Sequence, residues 1–111
     1  MKAIRIHQFG GPEVLQYEDA ADPVLKPGEA LVKVDAAGVN FIDTYQRSGA
    51  YKVPLPTILG QEGAGTVSAV ADGSTAVRVG DRVAWTGILG SYAESHAIPV
   101  DRLVALPSGV T

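Results

Sequence analysis

The chain reads as a mostly β domain of the barrel or sandwich kind, with one short helix near residues 40–48. Three observations lead there. Thirteen Gly and seven Pro in 111 residues exceed the roughly 12% that these two residues average together. They fall at short intervals, as Gly10-Gly11-Pro12, Lys26-Pro27-Gly28, Gly49, Pro54 to Pro56, Asp72-Gly73, Gly80-Asp81 and Gly90, with runs of Val, Ile, Leu and Ala between them. That spacing is the rhythm of short strands joined by tight turns.

Taken in order, strands are expected at Lys2 to His7, Val14 to Glu18, Ala30 to Ala37, Gly65 to Val70, Arg82 to Trp85, Tyr92 to Ile98 and Leu103 to Ala105. Alternation supports two of them directly. Leu31, Lys33 and Asp35 oppose Val32, Val34 and Ala36, while Tyr92, Glu94, His96 and Ile98 oppose Ala93, Ser95 and Ala97. Neither pattern is strictly apolar against polar. The stretch Asn40 to Ser48 breaks the rhythm: Phe41 and Tyr45 lie four apart, Asn40 can cap the start, and Gly49 supplies a stop, which together predict a helix. Pro107 to Thr111 reads as an exit from the barrel, and no repeat, linker or charge block divides residues 1–111, so one domain is expected.

Composition then narrows the function. Hydrophobic residues make up 46% and charged residues 19%, a globular balance. Nine Lys and Arg against twelve Asp and Glu, for a formal charge of -3, leave no basic excess, so nucleic acid is not expected as a main partner. No apolar run approaches the roughly 20 residues that cross a bilayer, and the N-terminus has no signal-peptide core, so a cytoplasmic protein away from the membrane is expected. The absence of cysteine excludes disulfides, thiol nucleophiles and thiolate zinc sites, and two histidines, His7 and His96, are too few for a His-rich metal cage.

The densest glycine stretch, Gly60-Gln61-Glu62-Gly63-Ala64-Gly65, invites reading as a phosphate cradle. It lacks the spacing of a dinucleotide fingerprint, no lysine follows as in a P-loop, and Thr66 to Val70 reads as strand. These glycines are expected to let backbones approach closely instead. Glu62 sits among small residues that leave it little exposed, which makes it either an ion-pair member or a catalytic group. Asn40, Phe41, Asp43, Thr44 and Tyr45, with Tyr51 after them, gather amides, hydroxyls and aromatic faces in one unit. Such a unit can hold a flat ligand, or it is an ordinary capped helix burying Phe41 and Tyr45. His96, within an alternating strand, reads as a surface or satisfied histidine.

The same residues carry a family likeness. Gly10-Gly11-Pro12-Glu13-Val14-Leu15, the run from Gly38 to Tyr45, Arg47-Ser48-Gly49-Ala50-Tyr51, the run from Gly60 to Val67 and Val79-Gly80-Asp81-Arg82-Val83 together resemble the N-terminal half of NADPH:quinone oxidoreductases. These are the zeta-crystallin-like members of the medium-chain dehydrogenase/reductase superfamily, and the five motifs are collinear along the whole chain. The resemblance implies a GroES-like, partly open β-barrel acting as the catalytic domain, followed by a Rossmann domain that holds most of the NADPH and is absent from these residues. In zinc-dependent relatives a Cys stands at the position of Asn40 and a His at that of Gln61, so the likeness implies an enzyme without zinc. It further implies that Asn40 and Asp43 face the cofactor, that Tyr45 and Tyr51 act on the substrate, and that Asn40, Tyr45, Tyr51 and Glu62 line its pocket. A quinone is the implied substrate, reduced by hydride from NADPH in a homodimeric full-length enzyme. An enoyl or alkenal reductase of the same superfamily, working on an activated alkene, is the alternative within the family. A non-catalytic β-barrel module is the alternative outside enzymology. The 111-residue chain alone is expected to be inactive.

Overall fold

The computed structural model describes residues 1–71 and 76–110, so the expected Asp72-Gly73 turn and Thr111 lie outside the described residues. Among the described residues eight strands and one α-helix follow one another: β1 (Lys2–Ile6), β2 (Gln16–Asp19), β3 (Glu29–Gly38), α1 (Phe41–Ser48), β4 (Thr57–Ile58), β5 (Glu62–Val70), β6 (Arg82–Thr86), β7 (Ser95–Pro99) and β8 (Val104–Ala105). Short 3-10 turns cover Pro12–Val14 and Val100–Arg102. The strands form two antiparallel sheets, ordered β2-β1-β4 and β7-β3-β5-β6-β8. The fold is therefore the expected mostly β, GroES-like, partly open barrel.

The two sheets meet through residues 92–94. Ala93 bridges Ala3, the Ile4 N–H donates to the Tyr92 carbonyl at 2.8 Å and the Glu94 N–H to that of Lys2 at 3.1 Å. The Val34 N–H then donates to the Glu94 carbonyl at 2.9 Å. The strand expected over Tyr92 to Ile98 is thus one extended segment that changes partner midway, and β7 proper begins only at Ser95. Other boundaries shift for equally local reasons. Proline fixes φ and favours the first position of a helical turn, and the turn it opens at Pro12 carries Val14, so β2 starts at Gln16. β5 begins three residues earlier than expected, at Glu62, and the two-residue β4 had no signal beyond the prolines before it.

Two apolar clusters fill the interior. Ala30, Val32, Val67, Val83, Trp85 and Ile98, all carried by strands of the larger sheet, pack against one another. Ile6, Val14 and Leu59 form the second cluster, flanked by Phe9, Leu89 and Tyr92. Each fully buried large aliphatic side chain contributes about 1.5–3 kcal/mol. The one polar atom of Trp85 is satisfied inside: its indole N–H donates to Ser91 Oγ at 2.8 Å, as a buried donor requires.

Curvature comes from irregular pairing of β3 with β5. The register slips between Leu31 and Val32 and again between Val34 and Ala36, and such bulges bend and twist a strand pair. Side chains hold the bulged places, with Ser68 Oγ donating to the Leu31 carbonyl at 3.2 Å and Thr66 Oγ1 to Asp35 at 3.1 Å. The bulges also explain the imperfect alternation in β3, because each slip changes which side chains face inward. At Gly65 the strands come so close that an added Cβ would lie 2.0 Å from the Lys33 carbonyl oxygen. Since backbone cannot yield as a side chain can, Gly65→Ala should cost at least about 2 kcal/mol, read as the shift in urea midpoint. A loss below about 0.5 kcal/mol, the usual range of a surface substitution, would contradict the close approach.

His96 lies half-buried on β7, its ring edge-on to Trp85 with centroids 6.1 Å apart and Nε2 without a hydrogen-bond partner among the described residues. It is neither a surface nor a fully satisfied histidine. Burial pushes its imidazole below the ordinary range, against smaller opposing effects of the Ile88 backbone and Glu29. The unfolded chain therefore takes up a proton near pH 6.5, about the free value, that the folded protein resists. Stability is full above that pH and falls as the pH drops below it. Replacing His96 with Gln should flatten the fall in unfolding free energy between about pH 7 and pH 5, the window set by the free imidazole value. Parallel curves for the two proteins would disprove the contribution.

Candidate functional site

The site is built around the start of α1. β3 ends at Gly38, and Asn40 adopts the extended backbone of an N-cap. The Asn40 N–H donates to Asp43 Oδ2 at 3.0 Å, and the Asp43 N–H donates to the Asn40 carbonyl at 3.0 Å. Asp43, three residues into the helix, thus uses its carboxylate to satisfy the capping residue, and its charge lies at the positive end of the helix dipole. The other end stops at Gly49, whose φ of 88° suits glycine. There the Tyr45 carbonyl accepts from the N–H groups of both Gly49 and Tyr51 at 3.1 Å, which ties Tyr51 to the helix terminus.

This helix has its polarity inverted. Its buried residues are Asp43, 6% exposed, and Gln46, while Phe41 is 76% exposed, Tyr45 40% and Tyr51 55%. The ordinary reading, in which Phe41 and Tyr45 are buried, is therefore incorrect: the polar face of α1 meets the barrel and the aromatic face is left outward. The three rings form a row, with centroids 5.6 Å apart from Phe41 to Tyr45 and 5.3 Å from Tyr45 to Tyr51, tilted by 54° and 59°. That is the tilted spacing aromatic pairs prefer.

Behind the helix start lies a cavity of about 380 Å³, lined by Ile4, Leu15, Ala37, Val39 and Leu59 on its apolar side and by Asn40, Asp43, Thr44, Arg47 and Tyr92 on its polar side. The size suits a small organic ligand. The Arg47 guanidinium donates to the Gly10 carbonyl at 3.2 Å. Of the residues lining the cavity, Asp43 keeps a buried oxygen, Oδ1, without a partner among the described residues, and an orphaned buried acceptor invites a donor. Gln46 Oε1, buried on the same helix face but not lining the cavity, is likewise unpartnered among the described residues.

Glu62 opens β5 opposite Gly38 and Thr86. It lines a shallow groove with Ala36, Ala37, Gly38, Gly63, Ala64, Ala84 and Trp85, which adjoins the first cavity at Ala37. No salt bridge to Glu62 occurs among the described residues. The structure thus brings Asn40 and Asp43 together in one cavity and Glu62 to its edge. Tyr45 and Tyr51 pair with each other on the outer side of α1 and line neither hollow.

Sequence reasoning missed Tyr92 as a site residue. Its phenol O–H donates to Asp43 Oδ2. Burial, Asp43 and then Glu62 push its pKa far up, so the hydroxyl stays protonated and remains a donor. Nothing in the local pattern around Tyr92 marks it, because the partner is 49 positions away. The burial of Gln46 was missed too, since a glutamine in a helix reads as solvent-facing.

Among the described residues no group of three or more His, Cys, Asp or Glu side chains comes together in a way that holds a metal ion, and no helix is long and apolar enough to cross a membrane. Residues 26–108 match the alcohol dehydrogenase GroES-like domain. The chain is 50% identical over 111 residues to a quinone oxidoreductase of Pseudomonas aeruginosa, which covers 98% of this chain and 34% of that protein. The crystal structure of Escherichia coli quinone oxidoreductase complexed with NADPH superposes with a TM-score of 0.95 at 42% identity, over all of this chain and 35% of the other. A 2-haloacrylate reductase superposes at 0.88 with 34% identity, over 98% of this chain and 32% of the other. The chain spans about a third of the length of these relatives. It belongs to the GroES-like domain family of the alcohol dehydrogenases, on the quinone oxidoreductase branch of the medium-chain dehydrogenase/reductase superfamily.

Proposed function

We propose that this domain binds and orients the substrate in a zinc-independent reductase that passes hydride from NADPH to quinones. The observation that carries the proposal is the inverted helix: the outward rings of Phe41 and Tyr45 on α1 continue into Tyr51 just past its end, and the helix start holds Asn40 and an unpartnered carboxylate oxygen of Asp43. An exposed aromatic row is costly to leave in water and suits a flat conjugated ring.

The residues fit a nicotinamide nucleotide locally. Asp43 Oδ1 can accept from a ribose hydroxyl or a carboxamide N–H, and the Asn40 amide can donate or accept beside it. They do not fit its phosphates, because the only cation lining the cavity among the described residues is Arg47, already bonded to Gly10. The phosphates are therefore held elsewhere, in the larger part of the protein that the relatives possess and these residues do not represent. When bound, NADPH supplies the hydride. The chain's own contribution is to stack the quinone on the Tyr45 and Tyr51 rings and to donate a phenol hydrogen bond to the oxygen on which negative charge grows. Asn40 and Gln61, being amides, are poor zinc ligands beside thiolate or imidazole, which supports polarisation by hydrogen bonds alone.

Reduction of an activated alkene is the second reading, favoured by the likeness to 2-haloacrylate reductase. The same phenols would then serve the carbonyl or carboxylate that activates the double bond.

NADPH titration separates the parts of the proposal. A version of the protein extended to the length of its relatives should bind NADPH and reduce quinones faster than 2-haloacrylates, while the 111-residue chain binds NADPH at least a hundredfold more weakly, about 2.7 kcal/mol. Equal affinity in both would overturn the division of labour, and a preference for the alkene would select the second reading. Tyr51→Phe in the longer protein should lower kcat/KM for quinone roughly tenfold, the scale of one lost hydrogen bond to developing charge. Turnover within twofold of the unsubstituted enzyme would remove Tyr51 as a donor.

A further inference from the structure

We propose that Tyr92 is a positioning residue for this site: its phenol, donated to Asp43 Oδ2, clamps the start of α1 to the barrel and thereby sets where Asn40 and the aromatic row stand. Its bearing on catalysis rests on the function proposed above, whereas its bearing on the helix start does not.

The first support is the rigidity of Tyr92 itself. Its N–H donates to the Leu59 carbonyl at 3.0 Å and its carbonyl accepts from Ile4 at 2.8 Å, so its backbone is held by β1 and by the segment before β5 at once. Its ring lies against Gly60, where an added Cβ would stand 2.7 Å from the ring and 2.9 Å from the Tyr92 backbone nitrogen. Gly60 has a φ of 102°, so the space is kept open by a residue that side chains cannot easily replace. The hydroxyl is therefore delivered from a fixed point.

The second support is how α1 is otherwise attached. At its C-terminal end the Gly10 N–H donates to the Arg47 carbonyl at 3.0 Å, and Arg47 returns a bond to Gly10. At its N-terminal end, among the described residues, the side-chain link from the helix to the barrel is Tyr92 to Asp43. The helix is thus pinned at both ends by different strands' neighbours, and only the Tyr92 pin bears on Asn40.

The third support is the division within the Asp43 carboxylate. Oδ2 accepts from both Tyr92 and the Asn40 N–H, whereas Oδ1 has no partner. With one oxygen saturated by two donors, the carboxylate plane cannot rotate freely, and the free oxygen points in one direction. A ligand donor then meets an acceptor already oriented, which lowers the ordering cost of binding.

The test uses Tyr92→Phe, which keeps the ring on Gly60 and removes only the hydroxyl. In the 111-residue chain, amide exchange at Asn40 should accelerate roughly tenfold, the scale of one lost hydrogen bond to a charged group, while Val32 and Val67 in the core exchange as before. In the longer protein, kcat for quinone should fall roughly tenfold with KM changed less than threefold, as expected when orientation and not uniform binding is lost. The exposed Tyr17→Phe should change neither. Exchange at Asn40 within twofold of the unsubstituted chain overturns the proposal, and so does faster exchange with unchanged turnover. If the unsubstituted longer protein reduces no quinone, the functional reading fails while the exchange measurement still decides the clamp. Should Tyr92→Phe not fold, the unsubstituted chain decides it: the Tyr92 hydroxyl proton should appear as a slowly exchanging downfield resonance, and its absence overturns the clamp.

Discussion

The close approach of β3 and β5 is the constraint on which the rest of this domain depends. At Gly65 and Gly63 the space a side chain would need is taken by the carbonyls of Lys33 and Ala36, and at Gly38 it is taken by the Glu62 side chain. Two register slips in the same pair bend the sheet. Where β3 leaves the sheet, and therefore where α1 begins, follows from how these two strands fit. The glycine-rich stretch that resembles a phosphate loop in composition is in fact the packing surface that makes this possible. From Glu62 onward the stretch is paired in the ladder with β3 and β6.

A helix placed this way meets an unusual partner. The surface it covers presents Tyr92 and the polar rim of a cavity, so the stable orientation turns Asp43 and Gln46 inward. The aromatic side chains then have nowhere to go but outward. Burying a carboxylate is tolerable only because two donors and the helix dipole compensate it, and exposing three aromatic rings is tolerable only if something else covers them in use. The energetic oddity of α1, apolar where it meets water and polar where it meets this part of the protein, is what the proposed function accounts for. A helix serving packing alone would be turned by about half a revolution.

Much of this arrangement was legible in the sequence, and the illegible part has a pattern. The β class, the helix at 40–48, its Asn40 cap and its Gly49 stop depend on neighbours within four residues, which a sequence displays directly. The start of β5 at Glu62 was hidden because glycines depress strand propensity even where a close ladder demands them. The partner change at Ser95 was hidden because an extended chain looks the same whichever strand it bonds. The facing of α1 stays open between two readings in the sequence because helical periodicity gives which residues share a side, not which side meets the barrel. Tyr92 was invisible because its role is a contact across 49 positions. The family likeness reached Asn40 and Asp43, whose short-range pattern it contains, but could not say that a third side chain holds them.

Charge argues the last step. An enzyme that draws hydride from a dinucleotide must neutralise several phosphate charges, and backbone N–H groups at a helix start or paired cations do this in most folds. Here the N-terminus of α1 already carries the Asp43 carboxylate, which repels a phosphate, and the one guanidinium lining the cavity is bonded to a main-chain oxygen. On the function proposed above, this end of the barrel suits a neutral, hydroxyl-bearing or amide-bearing part of the cofactor better than its anionic part. Under that proposal the reactive end of the cofactor would lie at Asn40 and its charged end away from the barrel. The same proposal leaves the substrate the aromatic side of the helix.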